Sequence, residues 1–147
     1  MVLLIDSNII LDVLQKREPH FKLSHIIYRM CEQKFVDGYI STLTFTNIIY
    51  IMRKVIVKRK VNDFYKSMKK IFTFIDFTEK DIEKAADMEW ADFEDAIQYV
   101  SAEKANADFI ITRNVKDFEL TEIQAIMPEE FIIKFENENK SETENEK

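Results

Sequence analysis

Short apolar runs alternate along this 147-residue chain with longer segments in which apolar residues recur every three or four positions. Residues 2–5 and 109–111 form the most continuous runs. Such runs suit strands that are buried on both faces of a parallel sheet. Three further runs predict strands at residues 39–41, 72–77 and 124–126. We expect the two most apolar strands to be central.

The segments between these strands have the apolar spacing of amphipathic helices. Because helices alternate with strands, the pattern predicts an α/β fold with a parallel sheet and right-handed crossovers. The predicted helix starts are, in chain order, Ser7 or Asn8, Pro19, Thr42 or Thr44, Asn62, Thr78 and Asp92, followed by a terminal half-helix after Pro128 that ends near Phe135.

The last twelve residues, 136–147, contain five glutamates, two lysines and no apolar residue. A segment of this composition buries too little apolar surface to offset the entropy of ordering, so it predicts an acidic, disordered tail. Residues 1–135 should form one domain, because a chain of this length buries about two-thirds of the surface that it exposes when unfolded.

The net charge of −6 argues against strong non-specific binding to nucleic acid. Residues 53–70, however, hold eight basic residues against one aspartate, which makes a candidate surface for phosphate contacts. Two solvated helix faces explain the same charges, and the run alone favours that simpler interpretation. The candidate RNA-contacting residues are Arg53, Lys54, Lys58, Arg59 and Lys60.

The chain has a single cysteine, Cys31, and therefore no internal disulfide. No apolar run approaches the roughly 20 residues that a membrane-spanning helix needs. We expect a cytoplasmic protein with no membrane partner.

Asp6 directly follows the first predicted strand and precedes the first helix. In open α/β sheets, ligands bind at the carboxyl ends of the strands, and a carboxylate there is costly to desolvate unless its charge is offset. Asp6 is therefore a candidate functional residue. It also suits a simple role at the helix N-terminus, where negative charge is favoured, and this stretch alone leaves both interpretations open.

Three other carboxylates are predicted at the same edge of the sheet. Asp92 and Asp95 lie three apart at the start of a helix that runs antiparallel to the strands, and Asp117 follows the strand at 109–111. The helix dipole alone would explain Asp92 and Asp95. A cluster of carboxylates is tolerable when it binds a hard divalent cation, and such an ion serves phosphodiester hydrolysis by lowering the pKa of a bound water.

Four segments resemble the PIN domain family. They are residues 4–14 (LIDSNIILDVL), 92–98 (DFEDAIQ), 107–114 (ADFIITRN) and 116–118 (KDF), and the resemblance spans about residues 1–133. It implies a three-layer α/β/α sandwich with a five-stranded parallel sheet, and cleavage of single-stranded RNA that depends on Mg²⁺ or Mn²⁺. Many small members, similar to the VapC group, are toxins of toxin–antitoxin pairs and form homodimers, so the resemblance implies an antitoxin and a second copy as partners.

The family's site residues can be matched by position. Asp6 matches the first metal-binding acid, Asp95 matches the acid of the later helix, and Asp92 matches a frequent acidic neighbour. Two expected acids are amides here, because Asn47 stands where the family has a glutamate and Asn114 where it usually has an aspartate. The amides should lower the affinity for the ion, with Asp92 or Asp117 taking part of the role. The supporting polar residues are Asn8, Asn47, Thr112 and Asn114.

The leading hypothesis is a metal-dependent ribonuclease in which Asp6, Asp92, Asp95 and Asp117 are catalytic and Asp6 and Asp95 bind the metal. The first alternative is a weak or inactive RNA-binding PIN module, since two acids are replaced by amides. A third hypothesis makes Asp6 a nucleophile that accepts a phosphoryl group. It lacks support because the residue two positions on is Asn8 rather than a second aspartate.

Overall fold

A computed structural model describes residues 1–57, 60–118 and 121–146. The described chain forms five strands, seven α-helices and one 3₁₀ turn, so strands and helices alternate as the apolar pattern predicted. The elements are β1 (Val2–Ile5), α1 (Ser7–Leu14), α2 (Phe21–Glu32), β2 (Asp37–Ser41), α3 (Thr42–Ile51), α4 (Lys60–Ile71), β3 (Thr73–Ile75), α5 (Glu79–Asp87), α6 (Phe93–Ala105), β4 (Phe109–Ile111), the 3₁₀ turn (Val115–Phe118), β5 (Gln124–Ile126) and α7 (Pro128–Asn145).

The five strands form one parallel sheet in the order β3-β2-β1-β4-β5. The most apolar strands, β1 and β4, are paired at the centre, as predicted, with Leu4 opposite Ile110. Alternate side chains of β1 enter two different cores, because Leu3 and Ile5 pack in one cluster and Leu4 in another. The two clusters lie between the sheet and its two helical layers, so the three-layer α/β/α sandwich is confirmed.

Several element boundaries differ from the prediction by one or two residues. The second helix begins at Phe21 rather than Pro19, and the fourth begins at Lys60 rather than Asn62. The N-cap of α1 is Asp6, whose extended backbone (φ −66°, ψ 146°) precedes the first helical turn. The starts predicted at Thr42, Thr78 and Asp92 hold, since these residues begin or cap α3, α5 and α6.

The predicted disorder of the acidic tail is wrong for residues 136–145, because α7 continues through them to Asn145. Phe131 is fully buried. Its ring packs edge-on against Phe109 and at a tilt against Phe135, with ring centroids 6.0 Å apart in both pairs, and this packing anchors the first turns of the helix. The helix then continues through residues of which half are glutamate or lysine, both good helix formers, with a Lys134–Glu138 ion pair of 3.5 Å across one turn. The proposed domain boundary at residue 135 therefore falls inside a helix. None of the described helices combines the length and apolar character that a membrane-spanning helix requires.

A buried ion pair ties α1 to the loop that follows β4. The carboxylate of Asp12 is fully buried and accepts hydrogen bonds from Arg113 Nε and Nη2, at 3.0 and 3.1 Å. Ser24 Oγ of α2 donates a third, at 3.0 Å. Bidentate pairing of this kind fixes orientation as well as distance, so it holds the backbone on both sides of Arg113 in place.

Replacing Asp12 with alanine should lower the free energy of unfolding by about 3–5 kcal/mol, because the substitution leaves the Arg113 guanidinium without its buried partner. Urea denaturation followed by circular dichroism measures this loss. Asp87→Ala on the exposed end of α5 is the matched control and should change stability by less than about 0.5 kcal/mol. Equal loss in the two variants would contradict a structural role for Asp12.

Candidate active site

Asp6 lies at the carboxyl end of the central strand and is only 4% exposed. Its side chain makes no capping hydrogen bond to α1. Instead, Thr112 Oγ1 donates to its Oδ2 at 2.8 Å, and Ser7 Oγ donates to its Oδ1 at 3.2 Å. Burial raises the pKa of Asp6, while these hydroxyl groups and the N–H groups of Ser7 and Asn8 favour its charged form. The carboxylate of Asp6 therefore both faces the start of α1 and bonds Thr112 of the sheet edge.

Asp92, Asp95 and Asp117 meet at the same edge of the sheet. One carboxylate oxygen of each lies within 4.8 Å of the others. Asp92 caps α6, where its Oδ1 accepts hydrogen bonds from the backbone N–H groups of Glu94 at 2.9 Å and Asp95 at 3.3 Å. The antiparallel course of α6 places its N-terminus at the carboxyl ends of the strands, as the sequence predicted.

Asn114 joins this acidic group to Asp6. Its Nδ2 donates to Asp95 Oδ2 at 3.2 Å and to Asp117 Oδ2, and its backbone N–H donates to Thr112 Oγ1 at 3.0 Å. Thr112 in turn donates to Asp6, so one chain of hydrogen bonds links the acids. A neutral amide thus stands between the carboxylates of Asp95 and Asp117, at the position where the resemblance implied an aspartate.

The acids still repel one another strongly. Burial, together with the neighbouring Asp117 and Asp92, raises the pKa of Asp95 to about 8. Asp95 is only 6% exposed, so water does little to screen this repulsion. A cation bound among these carboxylates would stabilise the ionised form of Asp95 and offset the repulsion between the acids.

Glu94, on the first turn of α6, is a fifth carboxylate at this edge, and the sequence did not single it out. Its Oε1 accepts long hydrogen bonds from Ser7 Oγ and Asn47 Nδ2, each at 3.4 Å. Burial raises the pKa of Glu94, and the charges of Asp6 and Asp92 add to the effect. The carboxylate therefore lies against the residue at which the family's glutamate was expected. The only signal in the sequence was its place in the acidic segment 92–95.

Gln98 was also missed. It is 2% exposed, and its Nε2 donates to Thr44 Oγ1 at 3.0 Å and to Asp6 Oδ1 at 3.5 Å. Its Oε1 is the one buried side-chain oxygen, among the described residues, that has no hydrogen-bond partner. With Glu94 and Asn47 it lines a pocket of about 170 Å³ between α3 and α6.

The remaining candidates lie apart from these contacts. Asn8 is exposed on the first turn of α1. Arg53 stacks over the ring of Tyr50 at 4.4 Å and donates to its carbonyl oxygen at 2.8 Å. Lys54 is exposed, Lys60 begins α4, and the candidates at positions 58 and 59 lie outside the described residues. No described contact joins Arg53, Lys54 or Lys60 to the acids, so their role in RNA binding stays a prediction.

Comparison with known proteins agrees with the fold that carries this group of acids. A family model for the PIN domain matches residues 2–116. The chain is 30% identical over 132 residues to Ribonuclease VapC1 of Aquifex aeolicus (strain VF5), covering 86% of this chain and 90% of that protein.

Solved structures share the fold. A toxin–antitoxin complex from Klebsiella pneumoniae matches with a TM-score of 0.64 at 20% identity, over 86% of this chain and 97% of that chain. VapBC2 from Rickettsia felis, bound to a DNA fragment from its promoter, matches with a TM-score of 0.64 at 16% identity, over 86% of this chain and 98% of that chain.

Replacing Thr112 with valine should lower the free energy of unfolding by about 1.5–3 kcal/mol, because the buried carboxylate of Asp6 loses its shortest hydrogen bond. Thermal and urea denaturation of the metal-free protein measure the loss. Thr46→Val is the matched control, since this exposed hydroxyl bonds only carbonyl groups of its own helix. A Thr112→Val protein as stable as the control would show that Asp6 does not depend on this bond.

Proposed function

Because the chain belongs to the PIN domain family, we propose that it is a metal-dependent ribonuclease that hydrolyses phosphodiester bonds of single-stranded RNA. The observation that carries the proposal is the group of Asp92, Asp95 and Asp117, which lies within 4.8 Å and is joined to Asp6 through hydrogen bonds. The similarity of the chain to Ribonuclease VapC1 of Aquifex aeolicus, over most of both chains, supports the same activity.

The residues at this edge fit a hard divalent cation, Mg²⁺ or Mn²⁺. The three grouped residues, Asp92, Asp95 and Asp117, offer carboxylate oxygens, which such ions prefer to thiolate or imidazole ligands. Burial, together with the neighbouring carboxylates, raises the pKa of Asp95, which supports a site that gains from a bound cation. Asp6 and Asp95 would hold the ion, with Asp92 and Asp117 beside them. When bound, the ion lowers the pKa of the attacking water and stabilises charge that develops on the phosphate.

The protein's own residues position this chemistry. Thr112 and Ser7 fix the carboxylate of Asp6, and Asn114 fixes Asp95 relative to Asp117. Without a cation, the edge would repel a phosphate backbone, so RNA binding at the acids and metal binding are coupled. Asp92 and Asp117 are exposed, so the group is open to a substrate strand. The candidate phosphate contacts away from the acids remain Arg53, Lys54, Lys58, Arg59 and Lys60.

We extend the proposal to the chain's partners. One solved structure of similar fold is a toxin–antitoxin complex, and another is VapBC2 bound to a DNA fragment from its promoter. By this likeness we propose that the chain is the toxin of such a pair in the cytoplasm, that it binds an antitoxin protein, and that it forms a homodimer.

Replacing Asp6 with asparagine should reduce RNA cleavage to background, because the substitution removes the charge of the most buried acid at the edge. Cleavage of a labelled single-stranded RNA in Mn²⁺ measures the effect. Chelation by EDTA should abolish cleavage by the wild type, and added Mn²⁺ should restore it.

Asp87→Asn on α5 is the control and should cleave as the wild type does. Equal cleavage by wild type and Asp6→Asn would contradict the proposal, since the activity would then come from elsewhere. A wild-type protein that binds RNA in Mn²⁺ without cleaving it would favour the RNA-binding module instead.

A further inference from the structure

The pocket of about 170 Å³ between α3 and α6 is mainly apolar, with Leu43 of α3 and Ile97 of α6 in its lining. A dry protein cavity of about 150 Å³ holds a benzene ring, so this pocket has room for one planar six-membered ring. Its apolar lining suits the faces of such a ring, because burying them there removes apolar surface from water. The pocket therefore fits a flat ring better than it fits an ion.

Glu94 supplies the one carboxylate among the described residues that line this pocket. Its Oε1 accepts hydrogen bonds of 3.4 Å from Ser7 Oγ and Asn47 Nδ2, which orient the group without neutralising it. In the described part of the chain, no residue donates a hydrogen bond to its Oε2 or forms an ion pair with it. Since Glu94 is exposed, a ring in the pocket meets a charged acceptor that has hydrogen-bonding capacity to spare.

The pocket adjoins Asp6, one of the proposed catalytic acids. Gln98, which lines the pocket, donates to Asp6 Oδ1 at 3.5 Å. Ser7 Oγ lies 3.2 Å from the same oxygen and 3.4 Å from Glu94 Oε1. A ring in the pocket would thus be a near neighbour of a phosphate at the edge. The rings that accompany the phosphates of single-stranded RNA are its bases, which proteins recognise by packing on their faces and by hydrogen bonds to their Watson–Crick edges.

A carboxylate discriminates among the four bases. Guanine presents N1–H and its N2 amino group side by side, so one carboxylate can accept from both. Adenine and cytosine place a ring nitrogen that accepts beside their amino group, and uracil places N3–H between two carbonyl oxygens. These acceptors would face the carboxylate unfavourably. An aliphatic side chain would suit the apolar lining but would leave the charge of Glu94 without a partner.

We propose that the pocket between α3 and α6 binds a guanine base of the RNA, whose N1–H and N2 amino group donate to Glu94. Leu43 and Ile97 would contact the faces of the ring. The inference rests on the proposed function for its substrate, and it makes Glu94 a residue that determines specificity. Cleavage should then occur beside guanine.

Binding of neutral nucleosides to the metal-free protein tests the inference without phosphate or metal ion. Titration followed by NMR chemical shifts should show guanosine binding about tenfold more tightly than adenosine, cytidine or uridine, because only guanine makes the paired contact. Inosine, which lacks the N2 amino group, should bind more weakly than guanosine. Equal affinity for guanosine and adenosine would overturn the inference.

Two variants test where guanosine binds. Glu94→Gln nearly keeps the shape of the side chain but removes the pair of acceptors, so the preference for guanosine should be lost. Glu83→Gln on the exposed face of α5 is the matched control and should keep the preference. Leu43→Trp should fill the pocket and weaken the binding of every nucleoside. Guanosine that binds Glu94→Gln as tightly as it binds the wild type would overturn the inference, as would unchanged binding to a folded Leu43→Trp protein.

A cationic side chain of a protein partner is the competing occupant of the pocket. Methylguanidinium serves as its probe in the same titration. If methylguanidinium binds in a manner that depends on Glu94 and guanosine does not bind, the pocket takes a protein side chain and the inference is overturned.

The inference and the proposed function fail in different ways. If guanosine binding depends on Glu94 while the wild type cleaves no RNA in Mn²⁺, the guanine site holds and the ribonuclease proposal fails. If the wild type cleaves RNA but binds the four nucleosides without preference, the ribonuclease proposal holds and the guanine site is overturned.

Discussion

Mutual repulsion among carboxylates at the carboxyl edge of the sheet is the constraint on which the rest of the site depends. Five acids gather there, and the donors that meet them are hydroxyl, amide and backbone N–H groups. In the described part of the chain, no lysine or arginine forms an ion pair with any of them. Neutral donors orient the carboxylates but leave their charge uncompensated, and that charge is available to an incoming cation. The acids are Asp6, Asp92, Glu94, Asp95 and Asp117.

The amides at positions 47 and 114 act within this constraint. Each donates a hydrogen bond to carboxylates of the edge, where an acid at the same position would add to the repulsion. Asn114 holds Asp95 beside Asp117 even though the pKa of Asp95 is already raised to about 8. The amides therefore order the carboxylates around them without adding charge, and the edge remains acidic.

Much of this arrangement could be predicted from the sequence, because parallel strands bring their carboxyl ends to one edge. The central position of β1 and β4 followed from their apolar runs, and the meeting of Asp92 and Asp95 with Asp117 followed from the antiparallel course of α6. Glu94 could not be placed in this way, since its partners Asn47 and Ser7 are 47 and 87 residues away in the chain. The helical end of α7 was missed for a different reason. Composition describes an isolated segment, whereas these residues extend a helix that the burial of Phe131 has already nucleated.

Arg113 shows how the fold keeps the edge negative. This arginine lies between Thr112 and Asn114, two residues that contact the acids, so it is a cation close to them in the sequence. Its Nε and Nη2 instead donate to Asp12, a carboxylate that is fully buried and also bonded by Ser24 of α2. The pair holds the loop in place and engages the guanidinium of Arg113 with Asp12 instead of with the acids of the edge. Asp12 takes no part in the acidic edge. By binding Arg113, it keeps this guanidinium from neutralising Asp6 and Asp95.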